Sequence, residues 1–451
     1  MIRNIFCCAT TLVTLTYLTT LIAAESAHAI EIQRVKSPNG IEAWLVRDTS
    51  VPVLSIEFSF RGGRTYDPPG KAGLSYMLSG LLDEGAGVLD SKAFQAELER
   101  KSIQMSFRAG RDTFRGSLKT LNKYRDRAVD LLSLALTEPR FDKEPVERIR
   151  QQAKMSLKRK AKNPDYVAAR TWATAVFGNH PYAMSHLGRE ESLKAITRQD
   201  LVDVVKERFA RNLLIVGVTG DITPIELTLL LDRAFSRLPK QVHLPRILDV
   251  QPKLTGETYV IKLDVPQSAI RFGQLGLKRD DPDWYTSVVM NYVLGGGGFS
   301  SRLFSEIREK RGLAYSVGAN LRPMRYSAVL SGHAGTKNEN VADSLKIIRA
   351  EWNRMREDGV TTAELAQAKS YLTGSFPLRL SSTDQIARML VAIQYHDLGI
   401  DYIKKRSTYI NAVTQEDIMK LAQRLLDPKK LTFVIVGKPE AVSATAPKPR
   451  I

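Results

Sequence analysis

Five histidines follow residue 29, and their spacing determines whether a zinc hydrolase site of the usual helical type is possible. They are His180, His186, His243, His333 and His396. A helix directs two imidazoles at one metal ion when they lie four residues apart, and no pair here has that spacing. We therefore interpret His180 and His186, which lie in or just after a turn-like stretch, as structural residues. The sequence also contains no GxSxG motif, no Walker A motif and no dinucleotide-binding glycine motif after a strand.

The most distinctive local pattern is a run of four glycines, Gly295, Gly296, Gly297 and Gly298. We predict that a helix ends at Leu294 and that the glycines form a loop. Glycine has no Cβ, so such a loop can bring backbone N–H groups close to a ligand or a partner. A flexible turn between two helices is the alternative, and the residues alone leave both open.

The elements that must position these residues form a repeat. Residues 196–221 align without a gap on residues 413–438, and residues 152–154 match residues 367–369 at nearly the same shift. Each long segment is typical of a Thr-capped helix followed by a buried Val/Ile strand that ends at Gly. The alignment predicts a duplicated unit of roughly 210 residues, near the upper end of ordinary domain sizes. A chance match of two unrelated helix-strand pairs is the alternative.

The order of strands and helices is mixed, which favours an α+β fold over a doubly wound sheet. We predict two tandem homologous units, each a mostly antiparallel sheet packed with helices, in which segments 41–46 and 53–60 form a hairpin. The predicted helices of the first unit are 73–82, 91–101, 123–136 and 143–162. The predicted boundaries are a first domain over 30–240, a linker over 241–256, a second domain over 257–438 and a disordered tail over 439–451.

Both cysteines, Cys7 and Cys8, lie in an N-terminal segment that is typical of an export signal. Arg3 is a short positive region, Ile5 to Ala24 is mostly apolar, and small residues precede a cleavage point after Ala29. Cleavage would leave a periplasmic chain without cysteine, and so without disulfides or thiolate chemistry. An uncleaved inner-membrane anchor is the competing interpretation, because the apolar stretch is long for a signal.

The net charge of +18 permits several kinds of partner, including nucleic acid, an acidic membrane surface, an acidic protein or an acidic substrate. Basic runs such as residues 158–160 contain no interleaved aromatic residue, so they indicate a solvated helix face instead of a nucleic-acid site.

The glycine run belongs to a longer pattern that resembles a known family. Residues 294–316 read LGGGGFSSRLFSEIREKRGLAYS and are similar to the second-half signature of the pitrilysin/insulinase/mitochondrial-processing-peptidase family of zinc metallopeptidases. Residues 61–64 (RGGR) and 67–74 (DPPGKAGL) resemble the stretch before the catalytic helix of that family, and residues 177–182 (FGNHPY) resemble a later stretch. The resemblance covers nearly the whole chain after residue 29 and implies two tandem homologous α+β units.

The resemblance also implies where the zinc site would lie. Family members carry His-x-x-Glu-His on a helix, with a Glu far downstream as the third ligand. Matched to this sequence, the two histidines fall on Tyr76 and Gly80, the motif Glu on Ser79, and the third ligand on Ser156. These four residues offer neither zinc ligands nor a general base. The resemblance therefore implies a chain without its own metal or cofactor and without peptidase activity by that route.

A second part of the family site matches intact. Family members supply an Arg and a Tyr, seven residues apart, to the bound peptide and the developing oxyanion, and the matching residues here are Arg308 and Tyr315. The alternative is that Arg308 is a solvated helix residue and Tyr315 a core residue of a strand.

Together these matches imply a non-catalytic, substrate-binding subunit of an exported heterodimeric zinc metallopeptidase. The zinc is expected in a homologous partner subunit, Arg308 and Tyr315 complete the partner's site, Gly295 to Gly298 form a substrate-facing or interface loop, and the substrates are peptides. A pseudo-peptidase scaffold or peptide-binding protein without a role in catalysis is the main alternative. A zinc peptidase in its own right is a weaker one.

Overall fold

The computed structural model describes residues 30–449. The predicted export signal, residues 1–29, lies outside the described residues. Among residues 30–449, no helix combines the length and the apolar composition that crossing a membrane requires.

The first half of the described chain builds a six-stranded sheet with helices on its faces. Its strands are β1 (Gln33–Lys36), β2 (Glu42–Arg47), β3 (Val53–Arg61), β4 (Gln104–Ala109), β5 (Thr113–Leu121) and β6 (Leu214–Gly220). Their order is β1-β2-β6-β3-β5-β4, and every neighbouring pair is antiparallel except β2 and β6. The helices are α1 (Leu74–Ser79), α2 (Ser91–Arg100), α3 (Arg125–Thr137), α4 (Lys143–Ala161), α5 (Pro164–Phe177), α6 (Glu190–Ala195), α7 (Arg198–Arg208) and α8 (Pro224–Phe235).

The predicted hairpin of segments 41–46 and 53–60 is wrong. Strand β6 lies between β2 and β3, parallel to the first and antiparallel to the second. Strand β6 takes this central place, where both of its edges are paired, because six of its seven residues are buried.

The second half builds a five-stranded sheet of the same kind. Its strands are β7 (Thr258–Lys262), β8 (Gln267–Leu275), β9 (Ala314–Pro323), β10 (Ala328–Lys337) and β11 (Thr432–Gly437), in the order β7-β11-β8-β10-β9. Only the β7–β11 pair among these is parallel. The helices are α9 (Trp284–Asn291), α10 (Arg302–Phe304), α11 (Val341–Asp358), α12 (Thr362–Gly374), α13 (Thr383–Tyr395), α14 (Tyr402–Ala412) and α15 (Gln415–Leu425).

The duplicated segments occupy equivalent places in the two halves. Helix α7 precedes β6 and helix α15 precedes β11, and each begins with a capping box in which a threonine and an aspartate satisfy each other's backbone N–H groups. The two threonines are Thr197 and Thr414, the first residues before each helix. The structure therefore confirms the predicted α+β fold with two tandem, mostly antiparallel units.

Each half also covers the other's sheet with one helix. Helix α5 packs on β8 and β11 of the second sheet, whereas α13 packs on β3 and β6 of the first. The approach of α13 is close, because a Cβ added at Gly217 of β6 would lie 2.3 Å from the Ala387 carbonyl oxygen. The Gln394 side chain donates to the Val216 carbonyl at 2.9 Å. These exchanged helices join the halves across a shared core.

Two segments lie outside the sheets and helices: the connection between α8 and β7 and the C-terminal tail after β11. Between α8 and β7, residues 239–257 contain no helix or strand. Composition predicts disorder after residue 438, but residues 439–449 lie along the second sheet. The Thr445 N–H donates to the Thr258 carbonyl at 2.8 Å, and the Glu440 N–H donates to Asn338 at 3.1 Å. Strand β7 is an edge strand, so its unpaired backbone offers these hydrogen bonds to the tail.

Candidate functional site

The four positions matched to the zinc motif lie on two helices that contact each other. Tyr76 and Ser79 belong to α1, Gly80 directly follows it, and Ser156 lies in α4. Helices α1 and α4 are in contact, and a Cβ added at Gly80 would lie 3.5 Å from Ile149 of α4. The structure thus brings together the two helices on which the resemblance places the metal ligands.

The chemistry at these positions does not fit a zinc ion. The Ser79 hydroxyl donates to the Tyr76 carbonyl at 2.8 Å, so its hydrogen bond is made within helix α1. No imidazole or carboxylate stands at any of the four positions, and zinc in proteins is bound by such groups or by thiolates. Residues 30–449 contain no cluster of three or more His, Cys, Asp or Glu side chains arranged to hold a metal ion.

A single histidine lies beside Tyr76. The His186 ring meets the Tyr76 and Tyr166 rings edge-on, at centroid distances of 6.4 and 6.3 Å. Burial, together with nearby cations led by Lys160, lowers the pKa of His186 to about 4, so the ring is neutral at pH 7. Sequence spacing gave no sign of this contact, because His186 lies far from Tyr76 along the chain. His180, by contrast, accepts from the Tyr182 N–H at 3.1 Å, as the prediction of a structural turn residue requires.

Helix α1 is fixed from its other side by a buried ion pair. Arg208 of α7 donates to the Asp67 carboxylate at 3.2 Å, with 6% and 2% of the two side chains exposed. The same carboxylate accepts from the N–H and the hydroxyl of Ser75 in the first turn of α1. Tyr76 and Ser79 therefore lie on a helix whose first turn is held in place by a buried ion pair.

Arg308 and Tyr315 lie together at the start of β9. The Arg308 guanidinium donates to the Tyr315 carbonyl at 2.9 Å and lies 4.8 Å from the centre of the Tyr315 ring. It also lies 4.9 Å from the Phe304 ring and 5.9 Å from the Phe299 ring. Such cation–π contacts orient a guanidinium without neutralising its charge. Within residues 30–449, Arg308 has no carboxylate within 4.0 Å.

The exposure of Tyr315 separates the two interpretations that the sequence left open. Its side chain is 77% exposed, so it is not a core residue of its strand. Phe299, at the end of the glycine run, is 73% exposed. A cationic group framed by exposed aromatic rings is the kind of surface that binds a partner or a ligand.

The first two glycines of the run belong to a π-helical turn, and a second π turn follows later in the same segment. Helix α9 ends at Asn291, and a π turn over Tyr292–Gly296 replaces the predicted end at Leu294. Arg308 lies in a second π turn, Ser305–Glu309. Such turns often occur at functional sites because they redirect side chains within a helix.

The four glycines have different structural roles. A Cβ at Gly295 would lie 2.8 Å from the backbone nitrogen of Ala319 in β9, so the loop packs directly on this strand. Gly298 has φ of +57°, a left-handed conformation, and nothing lies within 4 Å of its Cβ position. The run is thus an ordered connection whose second part, Gly296 and Gly298, is exposed.

The substitution Gly295→Ala is expected to destabilise the chain by about 1–3 kcal/mol, because the new methyl group overlaps the β9 backbone. Urea unfolding followed by circular dichroism measures the change. Gly374→Ala is the matched control: Gly374 lies in α12 with nothing within 4 Å of its Cβ position, so the same methyl group there should leave stability unchanged or slightly raised. Equal losses in both variants would contradict the packing argument.

A buried ion pair ties this segment to α12. The Arg302 guanidinium, whose side chain is 6% exposed, donates to both carboxylate oxygens of Glu364 at 2.7 Å. It also donates to the Gly359 carbonyl at 2.8 Å. Burial alone would raise the pKa of Glu364, but hydrogen bonds from Arg302 and Thr361 outweigh it and lower this pKa to about 2. The segment that carries Arg308 therefore starts from a firmly anchored residue.

Each of the two sheets ends in an edge strand. Strand β4 ends the first sheet and strand β9 ends the second. Asn291 and Arg308 already donate to the Ala319 and Tyr315 carbonyls of β9. Among the described residues, the backbone of β4 hydrogen-bonds only to β5. An edge of this kind can pair with an extended peptide.

Comparison with known proteins identifies the family. A family model described as Insulinase (Peptidase family M16) matches residues 44–189, and one described as Peptidase M16 inactive domain matches residues 195–372. The two matches follow one another and together span most of the chain. The chain therefore belongs to the M16 peptidase family, which confirms the resemblance drawn from its motifs.

Individual relatives agree with this assignment. A Helicobacter pylori protein described as non-peptidase homolog YmxG is 28% identical over 389 residues, which are 86% of this chain and 89% of that protein. An uncharacterized zinc protease YmxG of Bacillus subtilis is 24% identical over 355 residues, 78% of this chain and 85% of that protein. The crystal structure of a peptidase M16 inactive domain from Pseudomonas fluorescens has a TM-score of 0.85 and 26% identity, covering 93% of this chain and 100% of that one.

Family membership and the residues at the four matched positions together define the general class of protein to which the chain belongs. The chain has the fold of an M16 peptidase, but its matched positions hold a tyrosine, two serines and a glycine. It is a peptidase-like scaffold in which the four positions matched to the zinc motif do not form a zinc site of their own.

Proposed function

We propose that this chain is the substrate-binding subunit of an exported heterodimeric zinc metallopeptidase, in which a homologous partner supplies the zinc and the general base. One observation carries the proposal: the metal-binding positions are replaced while Arg308 and Tyr315 remain paired, with Tyr315 exposed to solvent and Arg308 half-buried beside it. A scaffold with no role in catalysis would need neither an unneutralised guanidinium nor an exposed phenol at this place.

The geometry supports a defined role for each residue. The Tyr315 carbonyl and three aromatic rings hold the Arg308 guanidinium, while its remaining N–H groups have no hydrogen-bond partner among residues 30–449 and could donate across a subunit boundary. The Tyr315 hydroxyl is a second donor. Donors fixed in advance stabilise charge where it develops during attack on a peptide carbonyl, and each is worth about 10²–10³ in kcat. Gly296 to Gly298 directly precede Phe299, whose ring lies 5.9 Å from the Arg308 guanidinium, and would face the substrate or the partner.

The substrate proposal rests on strand β4. Its free backbone edge would hold an extended peptide through main-chain hydrogen bonds, which depend little on side chains. We expect unfolded peptides or short protein segments as substrates. Export to the periplasm, with cleavage after Ala29, belongs to the same proposal.

The test combines this chain with its candidate partner, an exported homologue that carries His-x-x-Glu-His in a neighbouring reading frame. Peptide hydrolysis is measured for each chain alone and for the mixture, and zinc is measured in each purified chain. We expect no hydrolysis and no stoichiometric zinc for this chain alone, and a rate for the mixture about 100-fold or more above that of the partner alone, from the added oxyanion donors.

Two outcomes would contradict the proposal. If the mixture forms a complex but is no faster than the partner alone, the chain is a scaffold without a role in catalysis. Stoichiometric zinc bound to this chain alone would contradict the match of Tyr76, Ser79, Gly80 and Ser156 to the zinc motif.

A further inference from the structure

A cavity of about 650 Å³ lies where the two halves of the chain meet, away from the glycine run. The β4–β5 turn, the ends of β3 and β9, and the residues after α13 contribute to its wall. Its size is in the range of cavities that hold a small ligand or a few residues of a peptide. The cavity is thus built from both repeats and exists only in the assembled chain.

The wall of this cavity is strongly basic. Six cationic side chains line it, against three carboxylates. The cations are Arg61, Arg111, Arg115, Lys278, Arg279 and Arg325.

Four of these cations have no ionic partner in the described residues. Arg61 and Lys278 pair with Asp397 and Asp249, but Arg111, Arg115, Arg279 and Arg325 have no carboxylate within 4.0 Å among residues 30–449. The Nε atom of Arg111 is buried without a hydrogen-bond partner. Leaving a buried donor unsatisfied costs free energy.

The other groups of the wall are consistent with a site for negative charge. Burial, followed by the nearby guanidiniums of Arg279, Arg115 and Arg61, lowers the pKa of His396 to about 4. Three aromatic rings surround the Arg279 guanidinium and keep it in place without a carboxylate. Fixed guanidiniums bind carboxylates through two parallel hydrogen bonds.

The cavity lies at the end of β4, the strand to which the proposed function assigns peptide binding. Strand β4 ends at Ala109, and residues 110–113, which follow at once, line the cavity. Strand β9 ends at Pro323, which also lines it. A peptide that pairs with the free edge of β4 would therefore run toward the same end of the sheet as the unpaired arginines.

We propose that this cavity binds the side-chain carboxylates of an acidic segment at one end of the peptide substrate, so that the chain selects acidic peptides. This inference rests on the proposed function, because it takes the bound ligand to be a peptide. It gives a local role to part of the net charge of +18.

The test measures binding of fluorescent peptides to the full mature chain by fluorescence anisotropy at low salt. One peptide has three glutamates at one end and the other has three glutamines there, with both termini blocked, and each is made with the segment at either end. We expect the better glutamate peptide to bind about tenfold more tightly than its glutamine counterpart, a difference of about 1.4 kcal/mol.

The double variant Arg115→Gln with Arg325→Gln changes two exposed cavity cations and should abolish that preference while glutamine peptides bind as before. Lys346→Gln with Lys404→Gln removes the same charge from two exposed lysines outside the cavity and should keep the preference. Both variants alter surface side chains, so both should fold.

The possible results are distinct. Equal binding of both peptides to the unaltered chain would overturn the acidic preference but leave peptide binding intact. An equal loss of preference in both double variants would show general charge attraction and would also overturn it. A glutamine peptide with a free C-terminus that gains the full tenfold would contradict the assignment to side chains. Failure of every peptide to bind would overturn the proposed substrate-binding function itself.

Discussion

Replacement of Arg308 by alanine is expected to lower kcat of the mixture with the catalytic partner by about 100- to 1,000-fold, the usual effect of losing one oxyanion donor. The KM for the peptide should change much less, because the donor acts mainly on charge that develops during the reaction. The truncation also removes the group that the Phe304 and Tyr315 rings surround. Initial rates over a range of peptide concentrations separate the two constants.

Two further variants make this result specific. Arg311→Ala removes the same charge three residues away, where Arg311 pairs with Glu306, and should leave kcat within a factor of about two, because the Arg311 side chain is exposed and Glu306 keeps Lys310 as a second partner. Tyr315→Phe keeps the ring that packs on Arg308 and removes only the hydroxyl, so it should lower kcat without lowering stability. Equal losses in the Arg308 and Arg311 variants would show that only surface charge matters.

The substitution Glu364→Gln is expected to lower the free energy of unfolding by about 3 kcal/mol, because it leaves the buried Arg302 guanidinium without its counter-ion. This is the lower end of the range for breaking a buried pair, since 25% of the Glu364 side chain is exposed. The carboxylate also closes the capping box of α12 with Thr361. Denaturant unfolding at neutral pH measures the loss.

The pH dependence gives an independent check on the same residue. The pKa of Glu364 lies near 2 in the folded chain and near 4.5 when the group is free, so the unfolded chain binds a proton first as the pH falls. The stabilisation from Glu364 is therefore complete above pH 4.5 and is lost as the pH falls toward 2. The difference between the unaltered chain and the Gln variant should shrink over that interval. Glu357→Gln, an exposed change on α11, should have little effect at any pH.

The sequence predicted the parts of the fold that depend on local pattern. The periodic helix-strand segments that end at Gly220 and Gly437 appear as α7 with β6 and α15 with β11. Their Thr capping boxes fix the start of each helix through contacts only three residues apart. Such features can be predicted from sequence because the residues that interact lie within one helical turn of each other.

The errors arose where partners lie far apart in sequence. The insertion of β6 between β2 and β3 depends on which strand buries both edges, and the turn residues 48–50 carry no information about that choice. The contact of His186 with Tyr76 depends on where a loop returns to α1. The basic cavity combines residues from both halves, and in the sequence each of its arginines resembles an ordinary surface residue.

The residues matched to the family site also show which features sequence can predict and which only the structure reveals. Spacing and resemblance located Arg308 and Tyr315, but only the structure shows that the Tyr315 side chain points to solvent while its carbonyl holds the guanidinium. The role of the pair in catalysis stays a prediction until the mixture is assayed.

The exchanged helices α5 and α13 determine how the chain can come apart. A protease cut within residues 239–257 would break the backbone, yet the two pieces would stay bound, since each keeps one helix buried on the other's sheet. Neither piece expressed alone would cover its own strands, because β6 would lose α13 and β8 would lose α5. Unfolding should accordingly be a single cooperative transition for both repeats, and the duplicated units cannot move as independent hinged lobes.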